Sequence, residues 1–194
     1  MFRDLLEAEW APFGTLSEDQ IFKLEQHYRL LTRWNKVLNL TRIERLEDVV
    51  RLHYCESMFL GSVLPEGQQS IVDLGSGAGF PGIPIAVMRP ECSLTLLEAH
   101  QRKAVFLTEA CVGIPNAKVI AGRGETIHQQ FDWLVARAVE LKTVFPLRLA
   151  SHVAILMSEN DLTGLPQATQ TIAVPWGDQR IVALFHVEHQ SAKI

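Results

Sequence analysis

Apolar residues recur at helical spacing in the first third of the chain and in short unbroken blocks afterwards. The rhythm changes near residue 67. Ser17-Glu18-Asp19-Gln20 has the form of a capping box, with Ser17 as N-cap and Gln20 three residues on. Ile21, Leu24, Tyr28 and Leu31 follow as a helical stripe. Arg29, Arg33 and Lys36 are spaced for the same helix, about 100° round from that stripe, so a buried face and an adjacent basic face are predicted. Asn35 and Asn39 predict fraying near 37–41. A second helix is predicted from about 46 to 60, before a turn at Pro65-Glu66-Gly67-Gln68.

From Ser70 onward the pattern predicts alternating strands and helices. Strands are expected at 71–74, 93–97, 117–120, 132–136, 153–157, 171–174 and 180–187, and helices at 81–89, 101–111 and 140–150. Such alternation implies a mostly parallel sheet covered on both faces. The Pro175-Trp176-Gly177-Asp178 turn between the last two strands implies one antiparallel edge. The expected fold is α/β and Rossmann-like, with an N-terminal helical extension over 1–66 and one compact core over 67–194.

Composition narrows the classes. With 194 residues, 47% hydrophobic and 21% charged, the chain suits one packed domain with a modest extension. No apolar run approaches the ~20 residues of a membrane span, and the N-terminus lacks the pattern of a signal peptide. A soluble, cytoplasmic, monomeric protein without a metal is expected. Cys55, Cys92 and Cys111 are too scattered for a disulfide framework or a zinc site. A net charge of −4 excludes a generic polyanion binder, so any nucleic-acid contact must be local. Such a patch exists, since Arg29, Arg33, Lys36, Arg42 and Arg45 are opposed in their stretch only by Glu44. It reads equally well as a solvated charged face.

The segment Asp73-Leu74-Gly75-Ser76-Gly77-Ala78-Gly79-Phe80 lies between a strand and a helix, where glycines let backbone approach a ligand. A dinucleotide fingerprint would need glycine at position 80, and a P-loop would need Gly-Lys-Ser/Thr. Neither is present. Glu98 closes the next strand, where a carboxylate can grip ribose hydroxyls. A glycine loop without a phosphate grip, together with a ribose carboxylate, fits S-adenosylmethionine. The segment after the fourth strand, Val135-Ala136-Arg137-Ala138-Val139, lacks the Asn/Asp-Pro-Pro-aromatic run used for exocyclic amines. No cysteine sits there to activate a pyrimidine ring. A ring nitrogen such as guanine N7 needs neither, because it carries no proton and is already nucleophilic. Arg137 could hold a carboxylate or a phosphate.

Taken together, these segments resemble the RsmG (GidB) family of bacterial 16S ribosomal RNA guanine-N7 methyltransferases. The resemblance runs from about Tyr28 to Val187 and rests on several segments. They are Trp34-Asn35-Lys36, Asn39-Leu40-Thr41, His53 with Glu56-Ser57, Asp73 to Pro84, Arg123-Gly124-Glu125 and Arg137-Ala138. It implies a class I S-adenosylmethionine-dependent methyltransferase fold acting in the 530 loop of the small subunit. It further implies that Asp73, Gly75, Gly77, Phe80, Glu98, Gly124, Glu125 and Arg137 serve the cofactor. His53 would lie at the mouth of the site with Arg137 as the catalytic pair, and Arg29, Arg33 and Lys36 would contact RNA. On the residues alone, a single histidine in a helix reads as structural. Two departures stand out: Glu56 where the family has Asp, and Met157-Ser158-Glu159-Asn160 where it carries Lys-Gly. Another RNA or a small molecule as methyl acceptor is the alternative.

Overall fold

The computed structural model describes residues 1–187; residues 188–194, the end of the expected core segment, lie outside the described residues. The chain opens with a helix that the apolar pattern had not singled out, α1 (Phe2–Trp10), which buries Phe2, Leu6 and Trp10. The capping box forms as expected at the start of α2 (Glu18–Leu38). Ser17 Oγ accepts from the Gln20 N–H at 3.2 Å, and Gln20 Oε1 accepts from the Ser17 N–H at 2.8 Å. Two donors that a helix start leaves orphaned are thereby satisfied. Ile21, Leu24 and Leu31 are buried, with His27 completing the stripe. The helix ends at Asn39, in the left-handed conformation (φ 47) that asparagine tolerates.

The second expected helix is present and longer, running as α3 (Leu46–Val49), a π-helical stretch at Val50–Cys55, and α4 (Glu56–Val63). π-Helical turns inside α-helices are rare and often mark functional positions. This one carries His53.

The strands are β1 (Ser70–Leu74), β2 (Ser93–Glu98), β3 (Ala117–Ala121), β4 (Phe131–Arg137), β5 (Ala150–Ser158), β6 (Gln170–Ala173) and β7 (Arg180–His186). They form one sheet in the order β3-β2-β1-β4-β5-β7-β6. The first five are parallel, and β7 inserts antiparallel between β5 and β6. The mostly parallel sheet with an antiparallel pairing at one edge is as expected. Helices α5 (Gly82–Met88) and α6 (Gln101–Ala110) link the early strands.

Alternate residues of each strand feed two apolar clusters, as strand geometry requires. Ile71, Leu94, Leu96, Val135 and Leu156 join Leu6, Leu24, Met58 and Phe106 on one face. On the other, Val72, Leu134, Ile155 and Phe185 pack with Val144. Cover on this second face is thin, because the helix expected over 140–150 is only α7 (Leu141–Val144). A 3-10 turn, Phe145–Leu147, replaces its continuation, and Arg148 turns left-handed (φ 48). Pro146 has no N–H to extend the helix, and β5 claims the chain from Ala150.

Candidate active site

The parallel strands all end on one side, and in such sheets ligands bind beyond the carboxyl ends. There β1 runs into the glycine loop. Gly75 and Gly79 have φ of +69 and +88, a region that side chains rarely adopt. A Cβ on Gly75 would sit 3.0 Å from Val139 Cγ1, whereas one on Gly79 would sit 2.5 Å from Ile83 Cδ1 and 3.0 Å from His27 Nε2. The first glycine keeps a cleft open, and the second lets the loop close onto the core. His27 secures that closure from α2: its Nε2 donates to the Ala78 carbonyl at 3.0 Å while Nδ1 accepts from Tyr54 Oη–H at 2.9 Å. Burial holds this imidazole down to about 4, so it is neutral.

The cleft has a volume of about 250 Å³, walled by Gly75, Glu98, Gly124, Glu125, Val139 and Leu147. Glu98 is the polar group that organises it. One carboxylate oxygen accepts from the Gly77 N–H and the other from the His100 N–H, each at 2.8 Å. Each oxygen keeps a further lone pair for a hydroxyl donor. Leu97, Val139 and Leu147 supply apolar walls.

Arg137 ends β4 and is held from behind. Its Nη1 donates to the Leu52 carbonyl and its Nη2 to His53 Nδ1. A guanidinium only donates, so His53 Nδ1 must accept and its proton lies on Nε2. That N–H donates to Thr41 Oγ1 at 2.7 Å. Asn35 in turn brackets Thr41, its Oδ1 accepting from the Thr41 N–H at 2.9 Å and its Nδ2 donating to the Thr41 carbonyl at 3.0 Å. Residues 35, 41, 53 and 137, scattered along the chain, thus form one hydrogen-bonded line. Burial, then the Arg137 charge, holds His53 down to about 3, and burial lowers Arg137 to about 10. A neutral His53 facing a cation fits an orienting role better than that of a proton carrier at neutral pH. Phe80 lies beneath, stacked on His53 with centroids 4.6 Å apart, and Arg137 sits 5.8 Å above the Phe80 ring centre.

A second cleft, about 490 Å³, opens beside the first and shares Val139 with it. Glu56, Arg137 and Arg180 line it, with Asp161 and Asp178 at its exposed rim. The β5–β7 register sets Arg180 opposite Ser158, so a cation stands beside the position where the lysine was expected and missing. In the sequence Arg180 is legible only as a strand start. The antiparallel reading of that strand was the available signal, because it puts the strand's first residue at the carboxyl ends of the others.

Of the expected cofactor residues, Gly75, Glu98, Gly124 and Glu125 meet in the first cleft, and Gly77 braces Glu98. Arg137 lines the second cleft, while Phe80 is buried behind it. Asp73 is fully buried. Its Oδ2 accepts from the Gly82 N–H at 3.0 Å, its Oδ1 has no protein partner among the described residues, and burial pushes its carboxyl up to about 7. On α2, Arg29 pairs with Glu25 and Arg33 with Glu109 of α6, leaving Lys36 as the cation of that face without an ion pair among the described residues. No cysteine lines either cleft, and burial pushes the Cys55 and Cys111 thiols up. None is poised as a nucleophile. Among the described residues no group of His, Cys, Asp or Glu could hold a metal, and no helix is long and apolar enough to cross a membrane.

The model of a family described as rRNA small subunit methyltransferase G, GidB, matches residues 20–152. A ribosomal RNA small subunit methyltransferase G of Nitrosomonas europaea is 40% identical over 72% of this chain, and the match spans 64% of that relative's length. One of Lactococcus lactis is 30% identical over 92% of this chain and 87% of its own. Among solved structures, a SAM-dependent methyltransferase from Aquifex aeolicus superposes with a TM-score of 0.55 at 14% identity, covering 79% of this chain and 96% of that one. A Methanococcus jannaschii fibrillarin superposes with a TM-score of 0.52 at 15% identity, covering 66% and 70%. Likeness at that identity speaks for the fold.

Proposed function

Because the chain belongs to the rRNA small subunit methyltransferase G (GidB) family, we propose that it transfers a methyl group from S-adenosylmethionine to N7 of a guanine in 16S ribosomal RNA. The observation that carries the reading is the pair of clefts meeting at Val139. One has the open glycine wall, the carboxylate and the apolar sides that suit an adenosine. The other presents Arg180, a cation that suits a phosphate.

The donor set fits the cofactor. Glu98 would take the ribose hydroxyls, Gly124 and Glu125 would flank the adenine, and Gly75 would give room for the methionine side of the molecule. When bound, the cofactor supplies an electrophilic methyl on a sulfonium. The protein's task is then to place a nucleophile in line with it and keep competing water out. No general base is needed, because N7 carries no proton. This agrees with a depressed His53 and the absence of a reactive thiol at the clefts. The His53–Arg137 line fixes the end of β4 where the two clefts meet, and Arg180 and Lys36 are among the cations open to RNA phosphates.

The test supplies methyl-labelled S-adenosylmethionine with small ribosomal subunits, and separately with protein-free 16S RNA, from cells lacking this modification. Label in the RNA supports the reading, and the comparison identifies the preferred substrate form. Cofactor binding with no label in either would overturn it in favour of another acceptor.

A further inference from the structure

Glu56 is a carboxylate with 1% exposure, set among apolar neighbours at the start of α4. An isolated buried carboxylate is costly, so its partners define its use. Arg180 reaches it from the start of β7 with two parallel bonds, Nε to Oε1 at 3.1 Å and Nη2 to Oε2 at 2.9 Å. Arg137 Nη1 stands 3.9 Å from the same Oε2. One carboxylate therefore lies between two guanidiniums on the wall of the larger cleft.

The two arginines are not equivalent. Arg137 is turned inward, with both terminal nitrogens committed to Leu52 and His53. Arg180 commits Nε and Nη2 to Glu56, and among the described residues its Nη1 has no protein partner. A bidentate grip on one edge of a planar fork fixes the direction of the remaining nitrogen. It also shields Arg137 and Arg180 from mutual repulsion, so both can stand in the wall of one cleft.

Building on the rRNA reading above, we propose that Glu56 is a positioning residue for RNA. It holds Arg180 in a fixed orientation so that Nη1 points at a phosphate of the bound strand, and it acts on the substrate only through that arginine.

The test compares wild type with E56Q, E56D, R180A and the double variant E56Q/R180A, each checked for folding by its thermal transition. E56Q keeps shape and loses charge. KM for RNA is expected to rise about tenfold, with cofactor Kd and kcat within about twofold of wild type, and E56D should recover part of the loss. Because the two residues act as a unit, the double variant should be no worse than R180A. A second arm needs no RNA: the Arg180 Nε–H resonance in nitrogen-15 NMR, identified by its loss in R180K, should be narrow and slowly exchanging in wild type and averaged in E56Q. Additive losses in the double variant, or an ordered Arg180 in E56Q, would overturn the proposal. So would E56Q losing thermal stability with KM unchanged. Wild type that binds cofactor but methylates no RNA would overturn the rRNA reading instead, and the NMR arm would still judge the clamp.

Discussion

Gly75 and Gly79 share a left-handed backbone, yet they face different things, and alanine at each position separates site from scaffold. Left-handed alanine costs about 1–2 kcal/mol at either one. At Gly75 the added methyl meets Val139 Cγ1 at 3.0 Å and projects into a cleft of only about 250 Å³. At Gly79 it meets Ile83 Cδ1 at 2.5 Å and the Nε2 that His27 uses to hold Ala78 at 3.0 Å, so an overpacking cost of about 1–3 kcal/mol adds to the strain. Gly75→Ala should lose about 1–3 kcal/mol of stability and Gly79→Ala about 2–5 kcal/mol. For a chain of this size each kcal/mol lowers Tm by about 2–4 °C. Cofactor affinity should order the other way. Gly75→Ala should weaken S-adenosylmethionine binding about tenfold or more, which is about 1.4 kcal/mol. Gly79→Ala, measured well below its transition, should stay within about threefold of wild type. Titration calorimetry beside thermal melts reads both quantities. Wild-type affinity in a folded Gly75→Ala would refute the assignment of this cleft to the cofactor.

Thr41→Val removes the acceptor for His53 Nε2–H and leaves a buried donor unpaired; a loss of about 1–3 kcal/mol is expected in urea melts, with lower kcat because the end of β4 loosens. The buried imidazoles make stability depend on pH. His27 at about 4 and His53 at about 3 lie below the ordinary 6.5, so the unfolded chain takes up protons that the folded chain refuses. Stability is therefore full above about 6.5 and falls towards pH 4, by up to about 1.4 kcal/mol per unit for each imidazole. Asp73, raised to about 7, opposes this because the folded chain retains its proton. His27→Gln should flatten the urea midpoint against pH between 7 and 5, and an unchanged slope would contradict the assignment. Lys36→Ala should reduce the salt slope of RNA binding by about 0.7–0.9, whereas Arg33→Ala, already paired with Glu109, should leave it unchanged; filter binding across salt decides. Trp176→Ala should cost about 3–5 kcal/mol in thermal melts, since Trp176 is buried against Trp10 and Phe13 and donates to Glu9 at 3.0 Å.

Much of this architecture is legible in the chain because its cues are local. Ser17 and Gln20 announce a helix start, the blocks at 71–74 and 93–97 announce strands, and the glycine spacing announces a tight loop between β1 and α5. What sequence reading missed depends on distance along the chain. Phe2 and Trp10 look unremarkable until Tyr28 and Tyr54 pack on the first and Trp176, from the other end of the chain, stacks on the second. His27 breaks an apolar stripe on paper but completes it in space, because Tyr54 and Ala78 satisfy both ring nitrogens. The basic face of α2 is legible as charge, but not its neutralisation by Glu109 of α6. Glu56 and Arg180, 124 positions apart, become a pair only once β7 is inserted beside β5.

Guanine N7 is the proposed acceptor atom. The most direct measurement isolates 16S RNA after reaction with S-adenosylmethionine and treats it with borohydride and aniline, which cleave the strand at N7-methylguanine. One guanine should yield a new cleavage site with wild type and none with Gly75→Val. A methylated RNA that resists cleavage, or cleavage that persists with Gly75→Val, would contradict the account.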